Sequence, residues 1–171
     1  GGQTTTTQAE STDARYQVRQ AAASDLPELT RIKPLAAVHQ DRLRDADGQC
    51  LQYLVVTQHG TAIGFGLLVF QWPPTWPAPE REPLLPAMVD LLVRPDRRRR
   101  GAGSLLIRHL ENEARSRGCR RLYVAVDPVD NGEALRLYQR LGYRARQQAP
   151  YRSRWSFIDS QGTVHRGEEW Q

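Results

Sequence analysis

One segment of the chain combines positively charged side chains with glycines that leave the backbone accessible. We call it the glycine turn, and its residues are Arg98, Arg99, Arg100, Gly101, Ala102, Gly103 and Ser104. Glycine adopts the backbone angles of tight turns, and without a side chain it lets consecutive N–H groups reach a common point. Phosphate groups bind at such points, most readily where the turn opens a helix. The glycine turn therefore predicts a site for a phosphorylated ligand.

The elements predicted around the glycine turn place it between a strand and a helix. Ala87–Val93 is an apolar run of strand length, and Leu105–Arg117 carries apolar residues at helical spacing, with Gly118 as a candidate helix end. A further apolar run, Leu122–Val126, follows the helix. Two strands joined by a helix form a right-handed crossover with parallel pairing. The turn is therefore expected at the carboxyl end of the first of these strands.

The rest of the chain also alternates predicted strands and helices. These elements are a strand at Tyr16–Gln20, a helix from Leu26 that Pro34 ends or kinks, a helix at Leu35–Ala46, strands at Leu51–Thr57 and Thr61–Trp72, a helix at Asn131–Leu141, and a hairpin within Tyr151–Trp170. Between them, Trp72–Pro86 is rich in proline and tryptophan. That composition fits either a packed loop covering the sheet edge or a wall of a ligand pocket.

Length and charge predict one soluble domain with a polyanionic partner. The 171-residue chain has the length of a single domain, which we place at 15–171 after a polar, disordered tail at 1–14. It has no run of about 20 apolar residues and no signal sequence, so a cytoplasmic location without a membrane partner is expected. The net charge of +5 is carried by arginines, with Lys33 the only lysine. Nucleic acid or a multiply phosphorylated cofactor would suit this charge.

Cysteine, histidine and serine patterns argue against three other kinds of site. Cys50 and Cys119 lack a CxxC spacing and predict inert thiols rather than a zinc site or a disulfide. No metal is expected, because the histidines lack metal-ligand spacing. We expect all four at the surface, and they are His39, His59, His109 and His165. The Gly-x-Ser-x-Gly motif of serine hydrolases does not occur.

Three other interpretations of the glycine turn fit its residues less well. A nucleoside triphosphate P-loop needs a lysine after its second glycine, and none stands there. A dinucleotide fingerprint needs a third glycine where Leu106 stands, although Asp127 could supply its acidic residue. A basic tract could also contact nucleic acid, but the glycines and the following helix disfavour this.

Two motifs resemble those of the GNAT superfamily of acyl-CoA-dependent N-acetyltransferases. Arg98–Gly103 is similar to the family's coenzyme A loop, Arg-x-x-Gly-x-Gly. Asn131–Tyr143 is similar to its second signature, Asn-x-x-Ala-x-x-Leu-Tyr-x-x-x-Gly-Phe/Tyr. Together the motifs cover about residues 87–143. The resemblance implies a single GNAT-like domain of mixed α/β class, with a twisted sheet of about seven strands flanked by about four helices.

The resemblance also implies which residues hold acetyl-CoA, the expected cosubstrate. The pantetheine would lie along the strand before the turn, held by backbone groups of Leu91, Leu92 and Val93. The diphosphate would bind N–H groups from Arg99, Arg100, Gly101, Ala102, Gly103 and Ser104. Arg98 and Arg100 could add charge-assisted bonds. Asn131 would contact the cofactor, cap the helix that it precedes, or do both.

The chemistry implied by the resemblance needs a proton donor and a base. Tyr138 matches the family tyrosine that protonates the coenzyme A thiolate, and its alternative role is that of an apolar core residue. Some relatives have a glutamate that acts as the general base on this strand, at the position of Ala87 or Val89. Asp90 is the only carboxylate on the strand here. Asp90 could act as the base or fix the strand. A relayed water, Glu28 or Asp41 are the other candidates.

The function expected from these residues is acetyl transfer to the primary amine of a small molecule. A polyamine or an amino acid would suit a pocket near Asp90, Glu80 and Glu82. The loop at Trp72–Pro86 and the segment Tyr151–Phe157 would shape this pocket or a homodimer contact. The alternatives are acetylation of a protein N-terminus or lysine, and a non-catalytic module binding coenzyme A or nucleic acid.

Overall fold

The computed structural model describes residues 15–77, 84–124, 132–144, 152–158 and 164–170. The described elements, in chain order, are β1 Tyr16–Gln20, α1 Leu26–Ile32, α2 Ala36–Asp45, β2 Leu51–Gln58, β3 Thr61–Val69, β4 Ala87–Val93, α3 Ala102–Ser116, β5 Tyr123–Val124, α4 Gly132–Arg140, β6 Arg152–Ile158 and β7 Val164–Trp170. The expected mixed α/β order is confirmed. No helix among the described residues is long and apolar enough to cross a bilayer.

The first five strands form one mixed sheet in the order β1-β2-β3-β4-β5. Neighbouring strands from β1 to β4 pair antiparallel. Strands β4 and β5, which α3 connects along the chain, pair parallel. The predicted parallel pairing across α3 is therefore confirmed. The predicted C-terminal hairpin also forms, with β6 antiparallel to β7, but it is a separate two-stranded sheet. A single sheet of about seven strands is not confirmed.

Helices cover both faces of the sheet and bury an apolar core on each. The apolar stripe of α3, including Leu106, Ile107 and Leu110, packs in one cluster with Tyr138 of α4. The cluster on the other face contains Leu29 of α1 and the rings of Tyr53 and Phe65. Burying an aliphatic side chain of this size contributes about 1.5–3 kcal/mol. The central strands β3 and β4 thus pack against an apolar core on each face.

The connection between β3 and β4 folds back onto the second core. Trp72 and Trp76 pack against that cluster with their rings 5.6 Å apart and perpendicular. The Trp76 indole donates a hydrogen bond of 2.8 Å to Asp45 of α2. These contacts support the interpretation as a packed loop covering the sheet. Glu80 and Glu82, expected near the acceptor pocket, lie outside the described residues.

One histidine prediction is wrong. His39, expected at the surface, is completely buried on α2. Its Nδ1 lies 2.7 Å from the Tyr53 hydroxyl, and its Nε2 lies 2.8 Å from the Lys33 carbonyl oxygen. Burial lowers the pKa of His39, although the Lys33 carbonyl opposes this. Because both ring nitrogens have partners, the neutral imidazole is accommodated in the core.

Candidate functional site

The glycine turn follows directly from the end of β4. The Arg94 N–H donates to the Ile63 carbonyl at 2.8 Å, and a short 3-10 turn follows at Pro95–Arg97. The Arg98 Nε then donates to the Val93 carbonyl at 2.9 Å. This side chain therefore ties the start of the turn to the last residue of the strand.

Gly101 provides the backbone geometry that lets α3 begin here. It is the N-cap residue of α3, with φ 92° and ψ −4°, a left-handed conformation that strains residues with a side chain. The first N–H groups of a helix lack intrahelical partners and lie at the positive end of its dipole. The side chains of Arg98, Arg99 and Arg100 are exposed beside them. This combination of donors and charge fits a diphosphate.

Gly103 has a packing role within the same turn. A Cβ atom at this position would lie 3.6 Å from Leu137 Cδ2 and 3.7 Å from Val93 Cγ2. These are ordinary contact distances, so alanine fits but a larger side chain would push α3 away from α4 and β4. The second glycine therefore keeps the start of the helix close to the strand.

A bulge interrupts β4 next to the site. Leu92 pairs with Phe65, whereas Val89 pairs with Leu67, so β4 has one residue more than β3 between these pairs. Within the bulge, Asp90 has φ 52°. A bulge leaves backbone groups outside the ladder and changes where they point. The bulge therefore frees backbone groups at Asp90 and Leu91, beside the strand segment Leu91–Val93 expected to hold pantetheine.

The opposing strand β3 is adapted to this bulge. A Cβ atom at Gly64 would lie 2.8 Å from the Leu92 carbonyl oxygen, closer than such atoms approach. Glycine is therefore required for β4 to lie at its observed distance. On the other side of β4, the recorded pairing with β5 consists of Ala87 with Tyr123 and Met88 with Val124.

Asp90 is held by two cations rather than by the ladder. Lys33 Nζ and Arg42 Nη1 each donate to its Oδ2 at 2.7 Å. Burial acts to raise the pKa of the carboxyl, but the two cations together outweigh it and the pKa is lowered. A carboxylate with a lowered pKa is a weak proton acceptor. This geometry favours the strand-fixing alternative for Asp90, while its role as a base stays a prediction.

Tyr138 lies on α4, within reach of the end of β4. It is 6% exposed and belongs to the core cluster that contains Val93, Ala102 and Leu105. Its ring stands edge to face against Tyr143, with centroids 5.5 Å apart. Burial raises the pKa of its hydroxyl, so the phenol stays protonated at neutral pH. The structure thus places the predicted donor next to the strand and helix that flank the glycine turn.

The other predicted site residues are Asn131 and the alternative bases Glu28 and Asp41. Asn131 lies outside the described residues. The alternative bases Glu28 and Asp41 face Arg31 at 3.7 Å and Arg44 at 3.2 Å. No group of three or more His, Cys, Asp and Glu side chains in the described ranges could hold a metal ion.

Lys33 and Arg42 were missed by the sequence analysis. No motif contains them, because they lie 57 and 48 residues from Asp90. The sequence contained one indication of a special role for Lys33, because it is the only lysine in a chain that otherwise uses arginine.

Solved structures with the same fold include acetyltransferases. The aminoglycoside N-acetyltransferase AAC(6')-Iy in complex with CoA is 20% identical, with TM-score 0.61 over 79% of this chain and 96% of that one. An acetyltransferase from Trypanosoma brucei is 23% identical, with TM-score 0.57 over 78% and 96%. The yncA protein of Salmonella typhimurium, solved with its cofactor acetyl-CoA, is 20% identical, with TM-score 0.58 over 80% and 83%.

Sequence comparison identifies the family. No curated protein sequence matches the chain significantly. The profile of the Acetyltransferase (GNAT) family matches residues 15–143. This match spans β1 to the end of α4 and includes the glycine turn, the bulged strand and Tyr138. Because it covers well over half of the sequence, the chain belongs to the GNAT acetyltransferase family.

Proposed function

We propose that this acyl-CoA-dependent N-acetyltransferase transfers acetyl from acetyl-CoA to the primary amine of a small molecule, by direct attack in a ternary complex. The observation that carries the proposal is the continuous path from the bulge of β4 to the glycine turn and α3. Along this path, freed backbone groups, exposed arginines and helix N–H donors follow one another. Such a path suits a long, thin ligand with phosphates at one end.

The residues of the path would share the binding of acetyl-CoA. The backbone of Leu91, Leu92 and Val93 would hold the pantetheine, and an N–H at Leu91 or Leu92 would polarise the thioester carbonyl. The N–H groups of residues 99–104 would hold the diphosphate, with Arg100 adding charge. Arg98 would contribute chiefly by fixing the turn, since its Nε already binds the Val93 carbonyl. Asn131 is retained as a proposed cofactor contact.

When bound, acetyl-CoA supplies an acetyl group activated as a thioester. The attacking amine must be neutral, and its nitrogen bonds to the acetyl carbon as the carbon–sulfur bond breaks. Tyr138 would donate its hydroxyl proton to the departing sulfur, which its protonated state and its position beside β4 support. The proton released by the amine would pass to water or to Asp90 and return from there to the Tyr138 phenolate, which restores the donor.

We also propose where the protein acts and how it assembles. The proposed location is the cytoplasm, and the proposed homodimer contact involves the loop at Trp72–Pro86 or the segment Tyr151–Phe157. Acetylation of a protein N-terminus or lysine is the second candidate, favoured if the acceptor site proves open enough for a peptide. A non-catalytic coenzyme A or nucleic-acid module is disfavoured by the presence of Tyr138 and both turn glycines.

The Gly101→Ala variant tests the proposed diphosphate site through its affinity for acetyl-CoA. The substitution strains the left-handed N-cap, and we expect about 10-fold weaker acetyl-CoA binding by calorimetry, equivalent to about 1.4 kcal/mol. Gly118→Ala is a matched control, because Gly118 has φ 77° with nothing within 4 Å and lies at the far end of α3. Equal affinity of the two variants would refute the diphosphate site.

Catalysis is tested by measuring thiol release from acetyl-CoA with a panel of small amines. Release that depends on an amine, together with an acetylated product of matching mass, would support the proposed function. Salt-sensitive oligonucleotide binding that acetyl-CoA does not affect, without thiol release, would instead support the nucleic-acid alternative.

A further inference from the structure

The cluster formed by Lys33, Arg42 and Asp90 carries a net positive charge beside the bulge of β4. Two cations share one carboxylate, and both hydrogen bonds are made to the same oxygen, Oδ2. One positive charge is therefore left uncompensated within the cluster. Lys33 follows α1 and Arg42 lies on α2, so the excess charge faces the α1 and α2 side of the sheet.

The other charged groups of α2 are bonded to one another. Asp41 and Asp45 share one cation, Arg44, at 3.2 Å and 3.0 Å, so these three groups carry one negative charge in excess. Asp45 also accepts from the Trp76 indole. Burial lowers the pKa of His39, so its imidazole is neutral, and burial raises the pKa of Tyr53, so its hydroxyl stays protonated. The positive excess is therefore confined to Lys33, Arg42 and Asp90, while the remaining charged groups of α2 carry a negative excess.

The cluster is partly open to solvent and can reach a ligand. The side chains of Lys33, Asp90 and Arg42 are 27%, 20% and 12% exposed. An ammonium has three N–H groups and a guanidinium five, and each of these cations uses one on Asp90. The Arg42 guanidinium also interacts with Tyr53, whose ring centroid lies 5.8 Å from its Cζ. A partly desolvated cation pair of this kind binds an oxyanion more strongly than exposed arginines do.

The position of the cluster relates it to acetyl transfer. Asp90 belongs to the same bulge whose freed backbone groups would contact the thioester, so an acceptor amine placed there lies next to Lys33 and Arg42. We infer that the acceptor is a small primary amine that also carries an oxyanion, and that Lys33 and Arg42 bind this oxyanion. The inference rests on the proposed function, which leaves the acceptor class open.

The same charge selects against acceptors with several amines. A polyamine or an aminoglycoside brings further positive charges to a site that already has an excess of one, and like charges within a few ångströms repel. The repulsion also lowers the pKa of the single attacking amine, which favours its reactive neutral form. The polyamine expected from the sequence is thus disfavoured relative to the amino acid.

Matched substrate pairs test the inference on the unmodified protein. The first set compares leucine, phenylalanine, methionine and serine with their carboxamides, and the second compares phosphoethanolamine with ethanolamine. Spermidine represents the polycations. We expect kcat/KM to be about 10- to 100-fold higher for the anionic member of at least one pair, as for one charge-assisted hydrogen bond. The two sets distinguish a carboxylate from a phosphate.

The reactivity of the amine alone predicts the opposite order for the first set, with each carboxamide reacting faster than its amino acid. The α-amine of a carboxamide loses its proton more readily than that of the free amino acid, so more of it is neutral at a given pH. A preference for the carboxylate therefore reports binding of the anion. Equal or faster turnover of the neutral member in both sets, or faster turnover of spermidine than of every anionic amine, would overturn the inference while leaving acetyl transfer standing. No thiol release with any amine would overturn the proposed function as well.

Two substitutions at one position connect the preference to the cluster. Lys33→Gln removes the charge, whereas Lys33→Arg keeps it. We expect Lys33→Gln to raise KM about 10-fold more for the preferred anionic acceptor than for its neutral partner, and Lys33→Arg to restore this difference. A loss that is equal for both members of the pair would show a merely structural role and refute the assignment.

Discussion

Asp90→Asn tests whether the cluster is held together by charge. The substitution keeps the shape and a hydrogen-bonding oxygen but leaves Lys33 and Arg42 facing each other without a counter-charge. Removing one partner of a buried ion pair costs about 3–5 kcal/mol, and the partial exposure of all three groups reduces this to about 2–3 kcal/mol. For a domain of this size each kcal/mol lowers Tm by about 2–4 °C. We therefore expect Tm to fall by about 4–12 °C at neutral pH.

The pH dependence gives the same prediction a second readout. Because the pKa of Asp90 is lowered by folding from its ordinary 3.8, its stabilisation is fully present above that value and is lost as pH falls through the folded pKa. The Tm difference between the two proteins should be constant from about pH 5 to 8 and should shrink below about pH 4. Thermal unfolding followed by circular dichroism measures both quantities.

Two further variants complete the test. Asp96→Asn is the control, since Asp96 also bonds an arginine, Arg94, at 2.7 Å but is 54% exposed. We expect little change in its Tm. Adding Lys33→Gln to Asp90→Asn removes one of the unpaired cations and should recover part of the lost stability. Full stability of Asp90→Asn, or a deficit that persists unchanged at pH 3, would refute the electrostatic reasoning.

Two other substitutions test the proton donor and the bulge. Tyr138→Phe should lower kcat about 10- to 100-fold with acetyl-CoA affinity and Tm nearly unchanged, because it removes only the hydroxyl group; wild-type kcat would show that Tyr138 is not the proton donor. Gly64→Ala should destabilise the fold by about 1–3 kcal/mol and weaken acetyl-CoA binding, because its methyl group would lie 2.8 Å from the Leu92 carbonyl oxygen. Gly66→Ala is its control on the same strand, where the new atom meets only the Leu91 and Leu110 side chains at 3.4–3.5 Å, and similar behaviour of both variants would contradict the steric argument.

Local sequence patterns predicted the elements that carry the site. The apolar run Ala87–Val93 is β4 with the predicted bounds, and the crossover to β5 has the predicted direction. The predicted start of the helix at Leu105 was three residues late, since α3 begins at Ala102. Apolar periodicity detects a helix from its buried residues, and the small residues of the first turn carry no such signal.

Features that depend on distant residues could not be predicted. The bulge at Asp90 adds one residue to β4, which an alternating pattern does not reveal without knowledge of the partner strand. The pairing of Asp90 with Lys33 and Arg42 joins three elements through contacts that no spacing encodes. His39 was misplaced for the same reason, because its partners Tyr53 and Lys33 become neighbours only after α1 and α2 pack on the sheet.

The choice of arginine at nearly every basic position has a consequence for an enzyme that handles a reactive thioester. Guanidinium groups stay protonated and do not form amides under physiological conditions, whereas free lysine side chains do. Lys33 is the one ε-amine of the chain, and its Nζ is bonded to Asp90 at 2.7 Å. The protein is thereby shielded from chemical damage by its own acyl donor.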